Sequence, residues 1–176
     1  MCILRRDVLF FTWNHANKII SFVAVKKFKI QNPKYKSVIN ECLERQYFMK
    51  HIGMELLEIK PGKVSGALEI KAFHKQQHKM LHGGVISTMA DIVMGFAAYT
   101  LAKPGQGMVT SSLQVQYIKP GMGELVKAEA VVVKPGNLLY YVEADIWSYE
   151  GKEKVLIAKA QSTMCTIELQ KKLMTD

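Results

Sequence analysis

The sequence predicts an α+β fold in which an antiparallel β-sheet wraps around one long central α-helix. Three observations carry this. Residues 83–101 form an apolar run of helical length whose hydrophobic residues, among them Ile86, Met89, Val93 and Phe96, cover nearly every side. Several segments elsewhere alternate apolar and polar residues with period two. Four of the five prolines sit in Lys-Pro-Gly tripeptides at 60–62, 103–105, 119–121 and 134–136, where proline presets a turn and glycine accepts the positive φ of a type II corner.

Ser37 to about His51 reads as an amphipathic helix, with Ile39, Cys42, Leu43 and Phe48 near one face. Val64, Gly66, Leu68 and Ile70 then alternate with Ser65, Glu69 and Lys71, as on a strand with one buried face. The central helix follows, and its all-round apolar surface predicts burial on all sides. Leu113, Val115 and Tyr117 alternate with Gln114 and Gln116. Val126 to Val132, Val142 to Ile146 and Ala158 to Ser162 repeat the pattern, with a turn at Glu150-Gly151-Lys152. The short links between these last four strands predict a meander. One buried helix, one or two strands before it and four after it describe the hotdog architecture.

Composition narrows the function classes. At 176 residues with 49% hydrophobic content, the chain suits a single globular core. It lacks the run of about 20 apolar residues that a membrane span needs. The net charge is +9, but residues 1–38 hold eight Lys/Arg against Asp7 alone. The excess therefore belongs to a basic N-terminal extension, residues 1–35, ahead of a single domain at 36–172. Arg5 and Arg6 before Val8–Trp13 have the outline of a signal sequence, but polar residues interrupt the run and no small-residue cleavage site follows. No Arg stripe with interleaved aromatics accompanies the charge, so nucleic acid is not an expected partner. Cys2, Cys42 and Cys165 show no metal-binding or redox spacing, which suits a reducing cytoplasm. No metal and no cofactor are expected.

Asp91 is the single charged residue between His82 and Lys103. Burying a carboxylate costs several kcal/mol unless partners compensate, and such groups concentrate at functional sites. A capping or ion-pairing role is the alternative. His82-Gly83-Gly84 opens the same helix, where the first N–H groups lack intrahelical partners and the helix dipole adds positive charge. Glycines there let a carbonyl approach, as in an oxyanion hole, although Gly-Gly also suits a tight turn.

His82-Gly83-Gly84 with Asp91 nine residues after the histidine resembles the signature of hotdog acyl-CoA thioesterases of the phenylacetate-pathway (PaaI) type. The loop Gln76–Leu81 and the segment Gln116–Gly121 resemble the same family, and the likeness covers about residues 36–168. It implies hydrolysis of an acyl-CoA thioester to a free acid and CoA, with CoA entering as part of the substrate. It implies that Gly83 N–H polarises the thioester carbonyl and that Asp91 acts as general base on water or as nucleophile. Thr110 helps hold the water, Gln76 stands where several members carry Asn, and His82 orients the loop or the carbonyl. Gly84 and His78 fall beside the substrate, and Lys134 with Gly136, together with Lys79 and Lys103, are candidates for contacts with the CoA phosphates.

Helix geometry adds a constraint. Gly83 and Asp91 are eight residues apart, about 12 Å along one helix, too far to serve one carbon from one chain. Two antiparallel copies would bring Gly83 of one beside Asp91 of the other. The expected assembly is therefore a homodimer or a homotetramer with composite sites. Two alternatives stay open: a hotdog dehydratase or hydratase, and a non-catalytic acyl-CoA binding module.

Overall fold

The computed structural model describes residues 28–169; the basic and signal-like stretch at 1–27 lies outside them. Two short helices, α1 (Tyr35–Glu44) and α2 (Tyr47–Ile52), lead into strands β1 (Met54–Lys60) and β2 (Lys63–Glu69). A 3-10 turn at Ala72–His74 precedes helix α3 (Gly83–Tyr99). Strands β3 (Gln106–Tyr117), β4 (Leu125–Lys134), β5 (Leu139–Glu150) and β6 (Glu153–Glu168) follow.

The six strands form one antiparallel sheet in the order β1-β2-β4-β5-β6-β3, with α3 packed against it. The inward positions of the central strands are Val126, Ala128, Ala130, Ala144, Ala158 and Ala160, all buried. Their small side chains let α3 approach closely, and Met89, Val93 and Met94 fill the space between. Burying each such large apolar side chain is worth about 1.5–3 kcal/mol. This is the α+β hotdog architecture that the alternation and the central helix predicted.

Several details differ from the expectation. The single helix expected at 37–51 is two, because the chain leaves helical geometry at Gln46 (φ −82, ψ 69). Phe48 stands 57% exposed rather than on a buried face. The four-strand meander is three strands, β4-β5-β6, while β3 lies at the sheet edge beside β6. Alternation identifies a strand's faces but not its neighbours, so this order was invisible in the sequence. Of the four Lys-Pro-Gly corners, Gly62 and Gly105 take positive φ (70 and 82), whereas Gly121 and Gly136 do not. Gly121 serves a close approach instead, since a Cβ there would come within 2.9 Å of Leu81 Cβ.

Leu113 (38% exposed) and Tyr117 (55%) are not covered within the chain, contrary to their strand pattern. β3 also carries a bulge between Thr110 and Ser112, with Thr110 opposite Met164 and Ser112 opposite Thr163. The extra residue, Ser111, reverses the side-chain parity of the strand. Thr110 ahead of the bulge and Leu113, Val115 and Tyr117 after it therefore share the face that looks toward α3.

Candidate active site

The entry to α3 is built from a buried histidine. His74 Nδ1 accepts the Lys71 N–H (3.0 Å), so its proton sits on Nε2 and is donated to Ile52 O (2.9 Å). His74 O in turn accepts the His82 N–H, and Gly121 O accepts the Leu81 N–H, both at 2.9 Å. These bonds fix the chain where the helix begins.

His82 is the N-cap of α3, with extended backbone and an exposed ring whose Nδ1 accepts the Gly84 N–H (2.9 Å). The Val85 and Ile86 amides donate to His82 O at 3.0 and 3.3 Å. Among the first-turn donors Gly83 N–H is thus left without a partner within the described residues. His82 accordingly orients the turn, and Gly84 spends its amide on that cap. Ser87 Oγ and Tyr117 OH stand 2.5 Å apart and each lies 3.0 Å from Gly83 O, so two hydroxyl protons serve three contacts. They pin the first turn of α3 to the end of β3.

Two turns further along, Asp91 is half-buried. The expectation of a helix buried on every side is corrected here: Gly84, Thr88, Asp91, Ile92, Gly95 and Tyr99 form a face that the rest of the chain leaves partly open. Thr110 Oγ1 donates to Asp91 Oδ1 at 2.6 Å, the length of a charge-assisted bond. Both residues line a groove of about 780 Å³ between α1, α3 and β3. Its walls are mainly apolar, with Val38 and Cys42 from α1, Ile92 and Phe96 from α3, and Met108 from β3. Tyr99 lies at the far end, where burial first and the neighbouring Cys42 second push its phenol up to about 12, and its hydroxyl accepts the Cys42 thiol.

Gly83 and Gln76 line a different depression, of about 320 Å³, with Met80, Ile86 and Tyr117. Gln76 Oε1 accepts the exposed His78 N–H (2.8 Å), closing a turn in which Lys79 takes a positive φ of 65. Lys103 lines the Asp91 groove. Exposed Lys134 and half-buried Gly136, at the β4–β5 turn, line neither depression. The fold thus brings Asp91 and Thr110 together, groups Gly83 with Gln76, and holds the two pairs apart. Ser87, Tyr117 and His74 escaped the sequence reading. Ser87 is one turn from Gly83 on the same helix face, which was the available signal; Tyr117 looked like an ordinary strand residue. Among the described residues no three His, Cys, Asp or Glu side chains are grouped to hold a metal ion, and no helix is long and apolar enough to cross a membrane.

Residues 78–155 match the family model described as the thioesterase superfamily. Over 127 residues the chain is 30% identical to a Saccharolobus solfataricus protein that is an esterase by name (SSO1253), covering 72% of this chain and 82% of that one. The chain belongs to the thioesterase superfamily. Another relative within reach is human acyl-coenzyme A thioesterase 13, 26% identical over 113 residues, with 63% of this chain and 80% of the relative covered. A thioesterase family protein from Silicibacter pomeroyi superposes with a TM-score of 0.75 at 28% identity, over 76% of this chain and 98% of that chain. The Escherichia coli PaaI protein of the phenylacetic acid degradation operon shares the fold, with a TM-score of 0.71 at 17% identity, over 81% and 100% of the two chains. The resemblance read from the His-Gly-Gly and Asp spacing is therefore borne out at the level of superfamily and fold.

Proposed function

We propose that this thioesterase-superfamily protein hydrolyses an acyl-CoA thioester in a composite site shared by two copies of the chain. The observation that carries the reading is the 2.6 Å bond between Thr110 and Asp91 at the wall of the apolar groove. It holds a carboxylate beside a space suited to an acyl group. Asp91 takes a proton from water, and the hydroxide so formed adds to the thioester carbon. The oxyanion is received by the unpartnered Gly83 N–H of the second copy, at the positive end of its α3. Collapse of the tetrahedral intermediate expels the CoA thiolate, which takes the proton back from Asp91. Direct attack by Asp91 would use the same geometry and leave an anhydride for water to cleave.

Three features support this arrangement. Within one chain the base and the oxyanion donor open into separate depressions, so neither depression is a complete site. The edge strand β3 presents unpaired backbone groups together with exposed Val109, Leu113 and Tyr117, a surface suited to pairing with a second copy. A hydratase would need a catalytic histidine with an acidic partner, whereas the ring of His82 is engaged through Nδ1 by the Gly84 N–H of its own helix. CoA enters and leaves as part of the substrate, with Lys79, Lys103 and Lys134 as candidate phosphate contacts.

The test is release of free thiol from acyl-CoAs running from acetyl to palmitoyl and including phenylacetyl. Turnover of at least one is expected, with Asp91→Asn lowering kcat by about a hundredfold or more, the scale of a general base. An absence of thiol release across the panel overturns hydrolysis. Full activity in a dimeric Asp91→Asn variant overturns the assignment of the base.

A further inference from the structure

Glycine inside a helix is unfavourable relative to alanine, because the chain loses more freedom on folding. Where a fold keeps one there, the missing Cβ usually meets a need. Outside the helices, close packing meets that need at Gly66 of β2, where a Cβ would come within 2.8 Å of Met54 Cε, and packing together with a positive φ of 87 meets it at Gly123, where a Cβ would come within 2.1 Å of Tyr149 O. Gly95, deep in α3, differs. Its φ is ordinary, and a Cβ there would meet nothing closer than Met164 Cε at 4.0 Å. Nothing within the chain's own packing excludes a side chain at this position.

What Gly95 does border is the groove. It lies four residues after Asp91, about 6 Å further along the same helix. Ile92 lines the groove before it and Phe96 and Tyr99 continue it beyond, with Val38 and Cys42 of α1 opposite. An acyl chain whose carbonyl carbon sits at Asp91 and whose tail follows α3 must pass over Gly95 before reaching the apolar end. Any side chain there would stand on the floor of that path.

We propose that Gly95 is a specificity-determining residue: its absent side chain keeps the groove open one turn beyond Asp91 and so admits acyl groups longer than that turn. This rests on the proposed hydrolysis of acyl-CoA at Asp91, and it assigns the preferred substrates to medium- and long-chain aliphatic acyl-CoAs.

The experiment compares the full-length protein with Gly95→Ala and Gly95→Leu on butyryl-, octanoyl-, dodecanoyl- and palmitoyl-CoA. Thiol release is read alongside binding of the matching non-hydrolysable acyl-CoA thioethers. Melting temperature and oligomeric state report on folding. Gly95→Ala is expected to melt higher than the parent. Gly95→Leu is expected to keep butyryl turnover and binding but lose about tenfold or more in kcat/KM and affinity for dodecanoyl and palmitoyl groups. A parent that binds the long thioethers without turning over esters, with binding lost in Gly95→Leu, sustains the assignment of Gly95 while hydrolysis fails. Normal turnover with an unchanged chain-length profile in folded Gly95→Leu overturns it, as does an equal loss at every length. If Gly95→Leu fails to assemble, the smaller Gly95→Ala decides: its ratio of palmitoyl to butyryl affinity must fall, and an unchanged ratio overturns the proposal.

Discussion

Thr110 makes the closest contact to the proposed base, and its contribution is separable. Thr110→Val conserves volume but removes the hydroxyl that donates to Asp91 Oδ1 at 2.6 Å. Hydrogen bonds to charged groups are worth about 1.5–3 kcal/mol, so a roughly ten- to hundredfold loss of kcat is expected, with Thr110→Ser retaining most activity. Thiol release from a fixed acyl-CoA checks this; an unchanged kcat in Thr110→Val would show that the contact is structural only. At this scale Asp91 was legible, because it is the lone charge in a long apolar segment. Thr110 was legible through family resemblance alone. Tyr117 and Ser87 were not legible, because their roles depend on two hydroxyls meeting one carbonyl across elements that are 30 residues apart in sequence.

Among the elements, β3 departs furthest from what its sequence implies. Its alternation reads as an ordinary strand, but the bulge at Ser111 turns Thr110 toward α3 on the same face as Tyr117. The antiparallel run of strand and helix then sets Tyr117 against Gly83 and Thr110 against Asp91. The outer edge of the strand remains open, with Leu113 38% exposed. If two copies meet along this edge, Leu113→Glu places like charges together in the pairing region and is expected to yield monomers with unchanged secondary structure. Size-exclusion chromatography and circular dichroism check this, and thiol release should fall with the dimer fraction. A dimer that survives the substitution would place the interface elsewhere. Helix α3, by contrast, was legible almost to the residue: an apolar run opened by His-Gly-Gly admits few other structures. Its partly open face was not, since the sequence shows that a face is apolar without showing what covers it.

For the whole molecule the decisive question is whether two half-sites cooperate. Gly83→Pro removes the free N–H while suiting the first position of a helix, and His82 already has the extended backbone (φ −67, ψ 135) that a residue before proline prefers. Gly83→Pro and Asp91→Asn should each be nearly inactive alone. Unfolded together and refolded as a mixture, they are expected to regain about a quarter of the parent's thiol-release rate, because half the dimers are mixed and each mixed dimer holds one intact site. No recovery in a mixture shown to contain mixed dimers would mean that base and donor act within one chain.

Residue type and order were enough to set the fold class, the central helix and the inward faces of most strands, because periodicity and burial are local consequences of residue type. They also determined that Gly83 and Asp91 stand about 12 Å apart, since the rise of a helix is constant. Tertiary structure alone decided that β3 lies beside β6, that a bulge turns Thr110 toward Asp91, and that His82 takes up Gly84's amide and leaves Gly83's free. Those outcomes depend on which distant segments compete for the same hydrogen bonds and the same space, and no local pattern records that competition.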